Sequence, residues 1–308
     1  MSPSDAPQPP ALARAGIDRA AHERTDPDLL ARLRADPATR VVAVHGDRAR
    51  LSPDGGLRTT PVAQAHADAQ WAFLGRDAEG AALLVAAAPA DAEPPADAAD
   101  GRWVSLRAAG GALTGTDAAV FVEAVCLGRW LADAPFCPAC GARTEVRSAG
   151  WSRQCPACGR EHFPRTDPAV IVAVVSPDRS RLLLGQNALW ADRHMFSAFA
   201  GFVEAGESLE AAIVRELYEE AGVHAHELRY LGSQAWPYPR SLMLGFHATA
   251  TDAADARPDG EEIVAVRWFD RDELKDALAG RPTAGPPFAL PGSASIAHSL
   301  IVDWVEGA

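Results

Sequence analysis

Residues 201–223 read GFVEAGESLEAAIVRELYEEAGV. Gly201 and Gly206 permit a tight loop, Ser208 is placed to cap a helix, and residues 208–221 contain no helix breaker before Gly222. The stretch predicts a loop followed by a helix. At about 100 degrees per residue, Leu209, Ala212, Ile213 and Leu217 share one apolar face, and Glu216 and Glu220 fall inside it, about 20 degrees either side of Leu209. Acids on the opposite face would be a solvated surface. On the apolar face, two carboxylates at i and i+4 repel each other and lose hydration unless something neutralises them. A divalent cation would do so, and a structural ion-pair cluster is the alternative. Glu219 lies at the border of the face, where it could ligate or act as a base, and Arg215 lies further round, placed to pair with Glu207.

The 308-residue chain has room for two or three domains and enough apolar content for a sizeable core. A formal net charge of -12 argues against a broad nucleic-acid or anionic-membrane surface, so phosphate should be met locally or through metal. No run of 18 or more apolar residues occurs, and the opening MSPSDAPQPP lacks a basic segment followed by an apolar one. The expectation is a cytoplasmic protein that does not span a membrane.

Three segments are predicted. Residues 1–132 are rich in Ala, Pro and Asp and contain strand-like runs (RVVAVHG, AALLVAAA), a solvated loop at 89–100, and a helix in TDAAVFVEAVCLGRWLADA with Thr116 or Asp117 as its cap. Residues 133–166 hold two C-x-x-C pairs, Cys137 with Cys140 and Cys155 with Cys158. The intervening residues 141–154 are long enough for a hairpin that brings four thiolates onto one tetrahedral zinc, with no open position and hence a structural role. Redox pairs or four unliganded thiols are the alternatives. The fifth cysteine, Cys126, reads as a small buried hydrophobe. Residues 167–308 alternate strand and helix signals, giving an α+β or α/β domain.

Gly201, Glu207 and RELYEEAGV, at their spacing here, resemble the Nudix box in every fixed position. That resemblance implies an αβα sandwich and hydrolysis of a nucleoside diphosphate linked to another moiety. It also implies Mg²⁺ or Mn²⁺ held by Glu216 and Glu220, with the carbonyl of Ala200 as a further ligand. Glu219 is the first candidate for assisting the attacking water, and an acid outside the box is the competing one. Glu262, in GEEIVAVRWF, is similar in placement to an additional metal-binding glutamate of the subfamily below, with adjacent Glu261 as the alternative.

Downstream, SQAWPYPRS (residues 233–241) resembles the SQPWPFPxS motif of the NADH pyrophosphatase (NAD⁺ diphosphatase) subfamily. Gln234, Trp236, Pro237, Pro239 and Ser241 match, Tyr238 replaces Phe, and Ala235 stands where Pro is usual. The resemblance makes this segment the wall of a dinucleotide pocket, with Gln234 and Ser241 offering polar contacts, while Trp236 as a packing residue is the alternative. The zinc ribbon before the catalytic domain is itself a subfamily feature. Phe163 and Phe202 match positions where rings stack on a base, Phe163 coming from the partner subunit, and Ala297 matches a pocket position through its backbone. The implied organisation is a β-rich N-terminal domain, a four-cysteine zinc ribbon and a Nudix domain in a homodimer. The implied activity is cleavage of NADH or NAD⁺ to nicotinamide mononucleotide and AMP. Removal of NAD caps from RNA 5′ ends and a non-catalytic nucleotide-sensing module are the other readings.

Overall fold

The structure, a computed structural model, describes the chain except residues 1–8, 14–15, 98–100, 253–255, 284 and 308. It divides by packing into two units. One comprises Arg14–Thr166 together with Pro237–Arg240, and the other comprises the described residues up to Ala13, Asp167–Trp236 and Ser241–Ala308. This partition is coarser than the three segments read from the sequence, because the cysteine-bearing segment packs within the N-terminal unit.

In the N-terminal unit, helix α1 (Leu29–Ala35) precedes strands β1 (Arg40–His45), β2 (Arg48–Leu51), β3 (Gln70–Arg76), β4 (Ala82–Ala87) and β5 (Arg102–Ser105). They form a sheet of order β3-β4-β1-β2-β5. Short helix α2 (Leu106–Ala109) leads to α3 (Gly115–Asp133), whose long buried face covers the sheet. The cap of α3 differs from the expectation. Thr114 accepts from the Asp117 N–H, whereas the Asp117 carboxylate is already taken by the Leu57 N–H at 3.0 Å. The loop expected at 89–100 carries no regular element over its described residues, its last three lying outside them. Strands β6 (Glu145–Arg147), β7 (Ser152–Gln154) and β8 (Glu161–His162) make the small sheet of the cysteine segment.

The second unit is an αβα sandwich. Its strands are β9 (Asp167–Val175), β10 (Arg181–Asn187), β11 (Phe199–Phe202), β12 (Ala225–Trp236), β13 (Ser241–Ala250) and β14 (Ile263–Asp270). The sheet runs β12-β13-β9-β10-β14, with β11 also paired to β9. Central strand β9 is apolar without alternation because both its faces are covered. Val170, Val172 and Val174 join the core that includes Ala212, Ile213 and Leu217 of α4 (Leu209–Ala221). Ala169, Ile171 and Ala173 join the core that includes Leu274 of α5 (Arg271–Leu278) and Ile296, Leu300 and Trp304 of α6 (Ile296–Glu306). Among the described residues no helix is long and apolar enough to cross a membrane.

One buried charge stands out in α3. Glu123 is 5 % exposed, 3.4 Å from the Arg19 guanidinium, and its Oε1 has no hydrogen-bond partner. Burial pushes its carboxyl up to about 7, with Arg19 and Arg24 pulling the other way. The folded chain therefore keeps a proton that the unfolded chain releases near pH 4.5, and stability falls as pH rises between those values. The expected decline is on the order of 3 kcal/mol. Urea unfolding at about pH 5 and pH 7.5 should show it in the wild type and not in Glu123→Gln. Equal decline in both would place its origin elsewhere.

Candidate active site

The site is built on the first turns after β11 and on α4. Ser208 accepts from the Ala211 N–H at the helix start, and Gly222 closes the helix in the left-handed conformation at φ 65°, where a side chain would be strained. Between them, Ala212, Ile213, Leu217 and Ala221 are buried and hold the helix against the sheet. That contact presents Glu216 and Glu220 inward, as their positions on the apolar face require.

Glu220 is 5 % exposed, and its Oε2 is buried with no hydrogen-bond partner. Burial, then the charges of Glu262 and Glu216, push its carboxyl up to about 8, against the backbone N–H of Ala200, which favours the ionised form. Burial likewise raises Glu216, with Arg215 opposing. Gly201 explains how this fits sterically. A Cβ there would lie 1.9 Å from the Glu216 carboxyl carbon, so only glycine lets the acid pass beside β11.

Arg215 organises the remaining acids. Its Nε and Nη2 donate to the two oxygens of Glu207 at 2.9 Å each, a forked pair that ties the 201–207 loop to the helix. Nη2 also donates to the Phe202 carbonyl at 3.0 Å, and Nη1 donates to Glu216 at 2.8 Å and Glu219 at 3.1 Å. The sequence reading paired Arg215 with Glu207 alone, and the structure adds three partners. Glu219 is exposed at the helix border, its side chain 57 % accessible. Glu262 is exposed, accepts from the Asn187 amide at 3.1 Å, and its charge acts on both Glu216 and Glu220. Asn187 carried no sequence signal, because its partner lies 75 residues away, just before β14.

These residues fit a divalent cation. An orphaned buried oxygen, a second raised carboxyl beside it and a glycine whose Cβ would fill the space make an all-oxygen donor set suited to a hard ion. Glu216, Glu220 and Glu262 would hold it, with Ala200 adjacent on β11. Among the described residues the only group of three or more His, Cys, Asp or Glu that converges tightly enough for an ion is Cys137, Cys140, Cys155 and Cys158, all within 4.8 Å.

The cysteine quartet meets zinc geometry directly. Cys137 and Cys158 sulfurs are 3.7 Å apart and Cys140 and Cys155 sulfurs 3.5 Å. A tetrahedron with bonds of about 2.3 Å has edges of about 3.8 Å. The His162 Nε2 lies 3.3 Å from the Cys137 sulfur, a neighbour that the cysteine spacing does not reveal. Cys126 is a free thiol on α3, half-buried rather than fully buried as its apolar flanks suggested, and desolvation still pushes its thiol up to about 12.

The segment 233–241 is divided between the units. Gln234 is 1 % exposed with both ends of its amide engaged: Nε2 donates to the Ala294 carbonyl at 2.9 Å and Oε1 accepts from the Leu12 N–H at 3.2 Å. Where the resemblance offered Gln234 as a polar contact for the ligand, its amide here fastens backbone instead. Trp236 packs against the core beside α6, and Ser241 is buried opposite Trp236 and Asp167 at the start of β13. In the N-terminal unit, the Pro237 carbonyl accepts from Arg129 at 2.6 Å, and Tyr238 donates its hydroxyl to Asp47 at 2.9 Å while accepting from the Arg107 N–H. The Tyr238–Pro239 peptide is cis, and Pro239 is exposed. Phe163 and Phe202 are 54 % and 52 % exposed, each available to stack. Ala297 is buried near the start of α6, its N–H bonded to the Ser295 hydroxyl.

With this geometry in hand, comparison with known proteins is specific. The chain matches the NUDIX domain over residues 165–289 and the NADH pyrophosphatase zinc ribbon domain over residues 132–163. It is 40 % identical over 309 residues to the NAD-capped RNA hydrolase NudC of Mycobacterium tuberculosis (strain ATCC 25618 / H37Rv), covering 96 % of this chain and 94 % of that one. Against the NAD-capped RNA hydrolase NUDT12 of Homo sapiens it is 37 % identical over 199 residues, 62 % of this chain and 42 % of that one. A NUDIX hydrolase crystal structure from Nitrosomonas europaea aligns over 50 % of this chain and 96 % of its own, at 24 % identity and a TM-score of 0.37.

Two substitutions test the site. Gly201→Ala should displace the Glu216 carboxylate and lower kcat at least about 100-fold with the fold intact by circular dichroism. Glu220→Gln removes a carboxyl that burial makes costly to ionise and that the folded chain must otherwise protonate. It should raise the thermal midpoint of cation-free protein by a few degrees while abolishing the further rise that Mg²⁺ or Mn²⁺ gives the wild type. A Glu220→Gln protein that is less stable and still responds to cation would contradict the arrangement.

Proposed function

Because the chain belongs to the Nudix hydrolases that carry the NADH pyrophosphatase zinc ribbon, we propose that it hydrolyses the pyrophosphate bond of NADH or NAD⁺, releasing nicotinamide mononucleotide and AMP. The observation that carries the chemistry is the buried Glu220 oxygen without a partner beside Glu216. A divalent cation, Mg²⁺ or Mn²⁺, held there supplies positive charge against the pyrophosphate oxygens and lowers the pKa of water. Glu216, Glu220, Glu262 and the Ala200 carbonyl are the proposed ligands.

The chain's own groups do the rest. Glu219 projects into solvent at the edge of the cluster, free on one oxygen to take the proton of the attacking water. Arg215 steadies Glu219 and Glu216 together and keeps the loop closed through Glu207. Gln234 fastens the specificity segment rather than reading the ligand. Trp236, Pro237, Tyr238, Pro239 and Ser241 shape the segment that borders the dinucleotide. The exposed rings of Phe202 and, in a homodimer, Phe163 of the partner subunit stack on a base, and the backbone at Ala297 borders the same pocket. Zinc on the four cysteines is structural, which suits a reducing cytoplasm.

The names of the relatives favour a second substrate for the same chemistry, the NAD cap of an RNA 5′ end. The net charge of -12 limits the number of phosphates the surface can neutralise, so affinity for the RNA body should be weak and depend little on salt. The test is chromatography of products from NADH and from NAD-capped RNA at equal concentration, with Mg²⁺ or Mn²⁺. Equimolar reduced nicotinamide mononucleotide and AMP from NADH, and 5′-monophosphate RNA from the capped transcript, are expected. Preference for ADP-ribose or a dinucleoside polyphosphate would refute the substrate assignment and leave the metal helix standing.

A further inference from the structure

The N-terminal unit contains a cavity of about 420 Å³ whose lining residues, Tyr238 apart, have no role in the proposed hydrolysis. Its size falls in the range of small-molecule sites, roughly 300–1,000 Å³. The floor is apolar and made of small residues: Ala87 and Ala88 at the end of β4, and Gly128 of α3, beside Val44 of β1. All four are buried. Gly128 lets α3 settle on the sheet, since a Cβ there would lie 2.9 Å from Val44 Cγ2. The short alanine side chains then leave the hollow open next to that contact.

Four further groups line it and decide its chemistry: Asp47, Tyr238, Arg129 and Asp133. Tyr238 contributes its ring only, because its hydroxyl is held between Asp47 and the Arg107 N–H and the Arg107 guanidinium sits 4.4 Å from the ring centroid. Arg129 spends one guanidinium nitrogen on the Pro237 carbonyl, and among the described residues no hydrogen bond or ion pair engages its other N–H groups. Asp133, one turn further along α3, likewise has no hydrogen bond or ion pair among the described residues. Spacing of i and i+4 would allow these two to pair, and they do not. The cavity thus presents a cation with donors only and, one helical turn away at its exposed edge, the Asp133 carboxylate with acceptors only, above an apolar floor, with the Asp47 carboxylate that holds the Tyr238 hydroxyl also in its wall.

We propose that this cavity binds a planar heterocycle carrying an amide edge, a carbonyl oxygen beside an N–H. The carbonyl accepts from Arg129, the N–H donates to Asp133, and the flat body covers Ala87 and Ala88 alongside the Tyr238 ring. The carboxamide of nicotinamide and the lactam edge of guanine both have this chemistry. Neither needs a pyrophosphate or a divalent cation, so the inference does not rest on the proposed hydrolysis.

The experiment is calorimetric titration of the full chain, without added divalent cation, using nicotinamide riboside, guanosine and nicotinic acid riboside. Nicotinic acid riboside replaces the amide with a carboxylate, which has no N–H for Asp133 and meets the like charges of Asp133 and Asp47 while pairing only with Arg129. At least one of the first two should bind about tenfold or more tighter than the acid. The stronger of the two identifies the source. Asp133→Asn should shrink that preference, and Ala132→Trp, which fills the cavity from α3, should abolish binding while turnover of NADH is unchanged. Absence of binding at millimolar probe, equal binding of amide and acid, or binding that survives Ala132→Trp would each overturn the proposal. Should Ala132→Trp fail to fold, the Asp133→Asn comparison alone decides.

Discussion

Two carboxylates on the buried face of one helix, with no lasting counter-charge of their own, are the constraint around which the catalytic unit is arranged. Glu220 is sealed in with an unpartnered oxygen, and Glu216 shares one arginine with two other acids. The rest of the unit compensates for this cost. The valines of β9 and the Ala212, Ile213 and Leu217 face anchor α4 by apolar burial, so the helix need not rely on its acids for stability. Gly201 clears the space that Glu216 occupies, and Arg215 closes the loop in front through a forked pair with Glu207. Such a site is less stable without its cation than an apolar substitute would be, a common cost of function.

The segment 233–241 shows how one stretch of chain can serve different purposes at neighbouring positions. Gln234, read from the motif as a ligand contact, is consumed by the Ala294 carbonyl and the Leu12 N–H. A buried amide must satisfy both ends, and backbone partners within the same unit do so. A few residues later Tyr238 gives its hydroxyl to Asp47 of the N-terminal unit. The hydroxyl that distinguishes this chain from the phenylalanine of the motif therefore has a defined structural use.

Much of this was legible in the sequence, for identifiable reasons. The caps at Ser208 and Gly222, the inward placement of Glu216 and Glu220, and the zinc-binding spacing of the cysteines follow from local periodicity and short-range geometry. The pairing of Arg215 with Glu207 was legible too, but its bonds to Glu216, Glu219 and the Phe202 carbonyl were not, since one guanidinium can serve several acceptors once the loop has folded over it. The cap of α3 was misplaced because Asp117, a good capping residue in isolation, is drawn to Leu57 far away in sequence. His162 beside Cys137, Asn187 beside Glu262 and Leu12 beside Gln234 share that character: each is a contact between residues whose proximity exists only after the sheets have formed.

The central claim is that Glu216 and Glu220 are held for a divalent cation. Anomalous diffraction from crystals soaked in Mn²⁺ tests it most directly. A manganese peak at the carboxylates of Glu216 and Glu220, with Arg215 released from Glu216, is the predicted result. An empty cluster with the Glu216–Arg215 pair intact, in crystals that bind manganese elsewhere, would contradict it.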